Sequence, residues 1–185
     1  MSARDVPGNR PDRIHRADEP DQEFDVRDSL GHVRATLVRT ANKEFFWRSA
    51  DGRPGLGGVA VEDLPLYGSE LLRRIPLDVP VVLTEGPKDC IACRRAGLVA
   101  LGTITGAAGT PSGTSLDVLR DRVVVLWPDN DTPGAEHMRR VAEALVGVAF
   151  RVCVVDVTGL PPKAGAADLT AVEVVRRVAR ALQAP

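Results

Sequence analysis

The sequence predicts a small doubly wound α/β domain with a parallel sheet, preceded by a short β-rich lead-in at the N-terminus. From Val81 onward, apolar runs of strand length alternate with amphipathic stretches of helix length. Near-continuous apolar strands separated by helices are typical of a parallel sheet buried on both faces. Two of these runs end in acidic residues, in "VVLTEG" and "VVVLWPDND". Because ligands of such folds bind beyond the carboxyl ends of the strands, a polar site is expected there.

Composition divides the 185 residues into three parts. Residues 1 to 30 are rich in Arg, Asp, Pro and Glu with few large apolar side chains, and are predicted to be a flexible arm. Residues 31 to 63 are predicted to be a β-hairpin-like lead-in, because "VRATLVRT" and "KEFFWRS" are rich in β-branched and aromatic residues and precede a Gly-rich loop. Residues 64 to 185 form the predicted α/β domain, which opens with a short helix in "LPLYGSELL".

The α/β domain is predicted to alternate four strands with four helices. The strands are the apolar runs at 80–84, 98–102, 122–127 and 149–155. The helices are the amphipathic stretches at 87–96, 114–120, 133–146 and 168–182.

The two longest helices have specific support. In helix 133–146, Thr132 can cap the helix and Pro133 fits its first position. One face of each helix is apolar at helical spacing and is expected to pack on the sheet. These faces consist of Met138, Val141, Ala142 and Leu145 in the first helix, and of Ala171, Val175, Val178, Ala179 and Leu182 in the second.

Charge and composition exclude some classes of protein. The 24 Lys and Arg residues nearly balance the 25 Asp and Glu residues, so bulk charge indicates neither nucleic acid nor a membrane as partner, and any binding surface is local. No apolar stretch approaches the roughly 20 residues of a membrane span, and the N-terminus lacks the apolar segment of a signal peptide. The sequence therefore predicts a cytoplasmic protein without a membrane partner.

The cysteines are expected to be structural. Three cysteines in a reducing cytosol do not form a disulfide framework. Cys90 and Cys93 form a CxxC inside a predicted helix, where two small apolar side chains three residues apart suit a buried face better than zinc or redox chemistry. Cys153 lies in a predicted core strand and is interpreted in the same way.

Three acids are predicted to meet at one end of the sheet. Glu85 follows one core strand, and Asp129 and Asp131 follow another and point the same way in an extended segment. At 4 Å, two such carboxylates would repel each other by roughly 4 kcal/mol, a cost that a cation removes. Oxygen ligands select a hard ion such as Mg²⁺, which suits phosphoryl or nucleotidyl transfer or phosphodiester hydrolysis. The alternative is that each acid caps its own helix, as Asp131 could for the helix at Pro133.

These residues resemble a known family. The motifs "EGPKD", which includes Lys88 and Asp89, "PDNDTPG" and "PPKAGAADL" are similar to those of the TOPRIM domain shared by topoisomerases, bacterial primases and certain nucleases. The versions in phage and plasmid primases and primase-helicases are the most similar, and the resemblance covers about Leu64 to Leu182. It implies a four-stranded TOPRIM sheet, a catalytic set of Glu85, Lys88 and Asp89 in which Glu85 is the general acid or base, and a metal site made by Asp129, Asp131 and Glu85.

The resemblance implies a Mg²⁺- or Mn²⁺-dependent protein of DNA replication or of mobile elements. The implied chemistry is primase-like nucleotidyl transfer or phosphodiester chemistry on nucleic acid, with single-stranded DNA and nucleotides as partners. About 60 residues precede the match and no zinc-finger spacing occurs, so a helicase or zinc-module partner is expected. Two alternatives stay open, a non-catalytic DNA-binding replisome adaptor and a TOPRIM nuclease. Topoisomerase activity is not expected, because it needs a strand-cleaving tyrosine on a separate domain, and the sole tyrosine, Tyr67, lies in the short segment "LPLYGSELL" before the first core strand.

Several further residues have two interpretations each. Gly106 and Gly109, in "GTITGAAGTPSGT", could cradle a phosphate or form an ordinary connection. Lys163 and Asp168 could join the site, although Asp168 could equally cap a helix. His137 is expected at a solvated helix position. A set of basic residues could guide a nucleic-acid backbone or form a solvated face, namely Arg48, Arg94, Arg95, Arg139 and Arg140.

Overall fold

The computed structural model describes residues 21 to 184. An antiparallel N-terminal sheet comes first, with strands β1 (Gln22–Arg27), β2 (Val33–Arg39) and β3 (Phe45–Ser49) in the order β1-β2-β3. β2 and β3 pair as a hairpin, so the β-rich lead-in is observed.

The predicted flexible arm is wrong where it overlaps β1. Gln22–Arg27 pair with β2, and Phe24 and Val26 point into the core. The segment "QEFDVR" alternates charged and apolar residues with the period of two that marks a half-buried strand, which an average over composition does not register. Residues 1 to 20, the rest of the predicted arm, lie outside the described residues.

The second sheet is parallel and has helices on both faces. Its strands are β4 (Val81–Thr84), β5 (Ala100–Gly102), β6 (Val123–Trp127) and β7 (Arg151–Val154), in the order β5-β4-β6-β7. The helices are α1 (Pro87–Arg95), α2 (Gly113–Leu116), α3 (Thr132–Ala144) and α4 (Ala171–Gln183). Short 3-10 helices occur at Val61–Asp63, Ser69–Arg74, Asp117–Leu119 and Ala166–Asp168.

Residues of β4 alternate between two core layers, as the pleat of a strand requires. Leu83 packs in the layer that contains Met138 and Val141 of α3. Val82 packs in the opposite layer, which contains α1 and α4. The predicted doubly wound α/β class is therefore confirmed, and the buried Cys90, Cys93 and Cys153 all lie in the α1 and α4 layer as expected.

The predicted buried face of α4 is partly right, because Val178 is buried and Leu182 packs against the core, but Ala171, Val175 and Ala179 are exposed. Val174, Val178 and Ala181 are buried, whereas Val175 is 40% exposed and Ala179 also faces solvent. The helix carries valines on two adjacent stripes, so spacing alone does not decide which stripe meets the sheet. Thr170 decides the start of the helix, because its hydroxyl accepts a hydrogen bond from the Glu173 amide.

The two sheets join through an apolar contact next to β5. Val26, Leu64 and Ile104 form a small core between them, and the ring of Phe24 meets the edge of the Tyr67 ring at 6.0 Å between centroids. Tyr67 exchanges two backbone hydrogen bonds with Gly102 of β5. This contact places the N-terminal sheet beside β5, the edge strand next to β4. None of the helices among residues 21 to 184 has the length and apolar composition that crossing a membrane requires.

Candidate active site

Glu85 and Asp129 lie side by side because they follow neighbouring strands. Thr84 and Trp127, the last residues of β4 and β6, are in register. The residues that follow β4 and β6 therefore emerge at the same end of the sheet, beyond the carboxyl ends of these strands. There the carboxylate oxygen Oε1 of Glu85 accepts a hydrogen bond from the backbone N–H of Asp129 at 2.7 Å. The predicted convergence of these two acids is observed.

Asp89 approaches Asp129 from the first turn of α1. A Cβ atom built on Gly165 would lie 2.5 Å from Oδ1 of Asp89 and 2.7 Å from Oδ1 of Asp129, so the two oxygens border the same small space. Asp89 Oδ1 also accepts a hydrogen bond from the Ala167 amide at 2.7 Å. The segment around Gly165 thus closes one side of the acidic cluster, and a side chain at this position would force both carboxylates to shift.

Asp131 caps α3. Its Oδ1 accepts a hydrogen bond from the Gly134 amide at 2.8 Å, and Thr132 is the first helical residue. The prediction that Thr132 caps the helix is therefore wrong, and the alternative interpretation of Asp131 as a cap is observed. Capping occupies one oxygen of Asp131, since the hydrogen bond from Gly134 involves only Oδ1.

Gly134 brings the start of α3 against the acids. A Cβ atom at this position would collide with Glu85 Oε1 and would lie 2.9 Å from the Asp129 carbonyl oxygen. The sequence alone assigned Gly134 no role at the site, because the close approach joins segments about fifty residues apart.

We expect Gly134→Ala to displace Glu85 from the Asp129 amide. The added methyl group must move either the carboxylate or the backbone, which costs roughly 1–3 kcal/mol of unfolding free energy. Chemical denaturation measures this change. Gly113→Ala is the matched control, because Gly113 also lies in a helix and a Cβ atom there meets open space. Equal stability of the two variants would contradict the contact.

The acids raise each other's pKa. Burial, followed by the charges of Glu85, Asp89 and Asp131, raises the pKa of Asp129 to about 7, while Lys88 opposes this rise. Burial is also the main cause of the raised pKa of Glu85, against the hydrogen bond from Asp129 that lowers it. The pKa of Asp89 is raised by burial as well. A cation bound among these groups would relieve both the desolvation and the repulsion.

The donor set fits a hard divalent ion that keeps most of its own ligands. Mg²⁺ is typically held by one or two carboxylates and completes its shell with water and substrate phosphates. Asp129 and Asp131 line an open groove of about 470 Å³ that could admit such groups. Among residues 21 to 184, no three His, Cys, Asp or Glu side chains are already arranged as a metal site. Glu85 and Asp131 each use one carboxylate oxygen to accept a backbone N–H group.

The loop from 161 to 168 lies against the carboxylates of Asp89 and Asp129. Two backbone hydrogen bonds hold this loop to Asn130. The Asn130 backbone N–H donates to the Ala164 carbonyl oxygen, and the Lys163 backbone N–H donates to the Asn130 carbonyl oxygen. Asp168 Oδ2 accepts a hydrogen bond from the Gly165 amide at 3.0 Å, and its Oδ1 lies 3.5 Å from the Lys88 ammonium. Asp168 therefore stabilises the 3-10 turn Ala166–Asp168 and lies beside Lys88. It does not cap α4, whose cap is Thr170, so the predicted cap is wrong.

His137 is fully buried, so the expectation of a solvated helix position is wrong. Its Nδ1 lies 2.9 Å from the Gly109 carbonyl oxygen and its Nε2 lies 3.0 Å from the Thr103 hydroxyl. That hydroxyl also lies 2.8 Å from the Glu85 carbonyl oxygen. Burial lowers the pKa of His137, which favours the neutral ring. The chain of contacts connects the glycine-rich loop to the backbone of Glu85, and Gly106 in this loop adopts a positive φ of 68°.

Comparison with solved structures places this fold among primase domains. The primase fragment of the bacteriophage T7 primase-helicase has a TM-score of 0.59 and 20% identity over 88% of this chain. The RNA polymerase domain of Mycobacterium tuberculosis primase DnaG has a TM-score of 0.63 and 19% identity over 85% of this chain. A DNA primase domain from Pseudomonas aeruginosa has a TM-score of 0.64 and 21% identity over 85% of this chain.

This chain spans 62% of the T7 fragment, 54% of the Mycobacterium domain and 50% of the Pseudomonas domain. No family model matches the sequence, and no curated protein matches it. At these identities the likeness establishes a primase-type fold.

Proposed function

We propose that this chain is a TOPRIM-type protein of DNA replication or of mobile elements that catalyses metal-dependent, primase-like nucleotidyl or phosphodiester chemistry on nucleic acid. One observation carries the proposal. On a primase-type fold, the carboxylate of Glu85 binds the Asp129 backbone while Asp89 and Asp131 crowd the same end of the sheet.

The acids divide the work between them. Asp129 and Asp131 would hold Mg²⁺ or Mn²⁺, and the ion supplies charge stabilisation to a phosphoryl group when bound. Glu85, with its raised pKa, exchanges a proton with the reacting hydroxyl as general acid or base. Lys88 neutralises a substrate phosphate, and Asp89 orients the loop at Ala167 that borders the site.

The substrates we propose are single-stranded DNA and nucleotides. Solved primase structures with this fold contain single-stranded DNA in one case and an RNA/DNA hybrid with dTTP in another. Here Gly106 would offer its backbone amide to a phosphate. The Gly109 amide would do so only by leaving the Gly106 carbonyl oxygen, to which it donates a hydrogen bond at 3.2 Å. Lys163 is exposed in the loop from 161 to 168 and would contact the single-stranded DNA, whereas Asp168 acts through Lys88. A helicase or a zinc module is the further partner we propose, because one solved structure with this fold is a fragment of a primase-helicase.

A synthesis assay tests the proposed function. We expect the wild-type chain to extend or join ribonucleotides on a single-stranded template when Mg²⁺ or Mn²⁺ is present, and to lose this activity in EDTA. Gel analysis of labelled products, with and without nucleoside triphosphates, separates the alternatives. Strand scission without triphosphates would identify a nuclease. Binding of the template without any new or shortened strand, also after adding a helicase and zinc module, would identify an adaptor and contradict catalysis.

A further inference from the structure

A second concave site adjoins the acidic cluster on the far side of Lys88. This cleft, of about 650 Å³, lies between the outer face of α1, the edge strand β1 and the start of α4. Its volume falls in the range of small-molecule sites, roughly 300–1,000 Å³. It is lined by side chains from segments on three sides, including Phe24, Lys88, Ile91, Arg95, Leu169 and Val174.

The floor and the rim of the cleft differ in chemistry. The floor is apolar and is built from Ile91, Leu169 and Val174 with the largely buried Phe24. The rim carries Lys88 and Arg95, which lie seven residues apart on the same face of α1, about 10 Å along the helix axis. An apolar slot with cations at its edge fits a flat base joined to a phosphate.

Arg95 has no intramolecular polar partner among residues 21 to 184. Its side chain is exposed, and among the described residues it makes no ion pair and no side-chain hydrogen bond. The acid on the opposite wall, Glu23, is already paired with Arg48. Arg95 is therefore an unpaired cation at the rim, whereas Lys88 lies 3.5 Å from Asp168 Oδ1. An anion between these two side chains would satisfy the unpaired charge of Arg95.

Lys88 connects the cleft to the acids. Its ammonium group lies 3.5 Å from Asp168 Oδ1, and the next residue of α1, Asp89, borders the same small space as Asp129. A group seated in the cleft therefore has a phosphate-binding cation between itself and the acidic cluster. This continuity argues against an occupant unrelated to the chemistry of the cluster.

We propose that the cleft binds one nucleoside phosphate unit, with the base on the apolar floor and the phosphate between Lys88 and Arg95. The proposal rests on the proposed function and names the place where one of its substrates sits. The unit comes either from a free nucleotide or from a single strand, because both present the same base and phosphate.

Two charge variants and two matched controls test the cleft. Arg95→Glu reverses a rim charge, and its control Arg74→Glu reverses an exposed arginine far from the cleft. Ala171→Glu introduces an acid on the cleft wall, and its control Ala179→Glu changes an exposed alanine elsewhere on α4. All four positions are exposed, so we expect the variants to fold, and circular dichroism with thermal denaturation checks this.

Fluorescence anisotropy with a labelled oligodeoxythymidylate and with a fluorescent nucleoside triphosphate measures the effect at fixed low salt. We expect each cleft variant to weaken binding of at least one probe by about tenfold or more, and each control to stay within about twofold. If only binding of the oligonucleotide is weakened, the occupant of the cleft is a nucleic-acid single strand. If only binding of the triphosphate is weakened, the occupant is a free nucleotide.

Unchanged affinity of both probes in both cleft variants would overturn the proposal, as would a wild-type chain that binds neither probe. Failure of the proposed function looks different. In that case the wild-type chain would bind the probes and the cleft variants would not, yet the wild-type chain would neither synthesise nor cleave a strand.

Discussion

Replacement of Glu85 by glutamine is expected to reduce the metal-dependent activity by at least about 100-fold while leaving the fold intact. The amide oxygen of the introduced glutamine can still accept the hydrogen bond from the Asp129 backbone that Glu85 Oε1 accepts now. What glutamine cannot do is exchange a proton, and general acid–base catalysis typically contributes roughly 10²–10⁴-fold. Initial rates in the synthesis assay measure the loss, and thermal denaturation measures the fold.

Glu44→Gln is the matched control for this variant, because Glu44 is exposed in the turn between β2 and β3. It should retain wild-type activity. Wild-type rates in Glu85→Gln would remove Glu85 from catalysis. A large loss of thermal stability would instead assign it a structural role.

The second large effect is expected from Asp129→Asn, which should make the metal-free protein more stable at neutral and alkaline pH. The folded pKa of Asp129 is about 7, against the ordinary value of 3.8. The folded state therefore binds more protons than the unfolded state between these values, so wild-type stability falls as pH rises from about 4 to about 7. Asparagine does not ionise and escapes this loss, which is on the order of 2 kcal/mol after allowance for partial solvent exposure.

Divalent metal should reverse the order of stability. Binding to the folded state alone raises the free energy of unfolding by about 2.7 kcal/mol when the ion is at 100 times its Kd. The wild-type chain should gain this stability from Mg²⁺, and Asp129→Asn should gain much less. Urea denaturation between pH 4 and 8, with Mg²⁺ and with EDTA, measures both effects. Asp78→Asn, which changes an exposed acid, should follow the wild type. Identical pH profiles of Asp129→Asn and wild type would contradict the account.

The strands of the parallel sheet could be predicted because they are buried on both faces. β4 and β6 are almost entirely apolar, so the pattern is independent of register and of neighbouring elements. The positions of Glu85 and Asp129 follow from the same fact, since each comes shortly after such a strand. β1 was missed because it is half-exposed and rich in charge.

The parts of the site that the sequence did not predict all depend on contacts through space. Gly134 and Gly165 are required by carboxylates from distant segments, and neither has a positive φ that a local pattern would indicate. His137 lies on a polar stretch of sequence, yet the glycine-rich loop folds over it and buries it. The face of α4 was only partly right for a related reason, because two stripes of valine compete and only the sheet selects between them.

Location of a bound ion is the most direct test of the metal site. Crystals grown with Mn²⁺ and a nucleoside triphosphate, measured at the manganese absorption edge, would show the ion by anomalous scattering. The account predicts a peak at the carboxyl ends of β4 and β6, with oxygens of Asp129 and Asp131 at about 2.1 Å, close to the distances that Mg²⁺ requires. A peak bound elsewhere, or none at all at a concentration that supports activity, would contradict it.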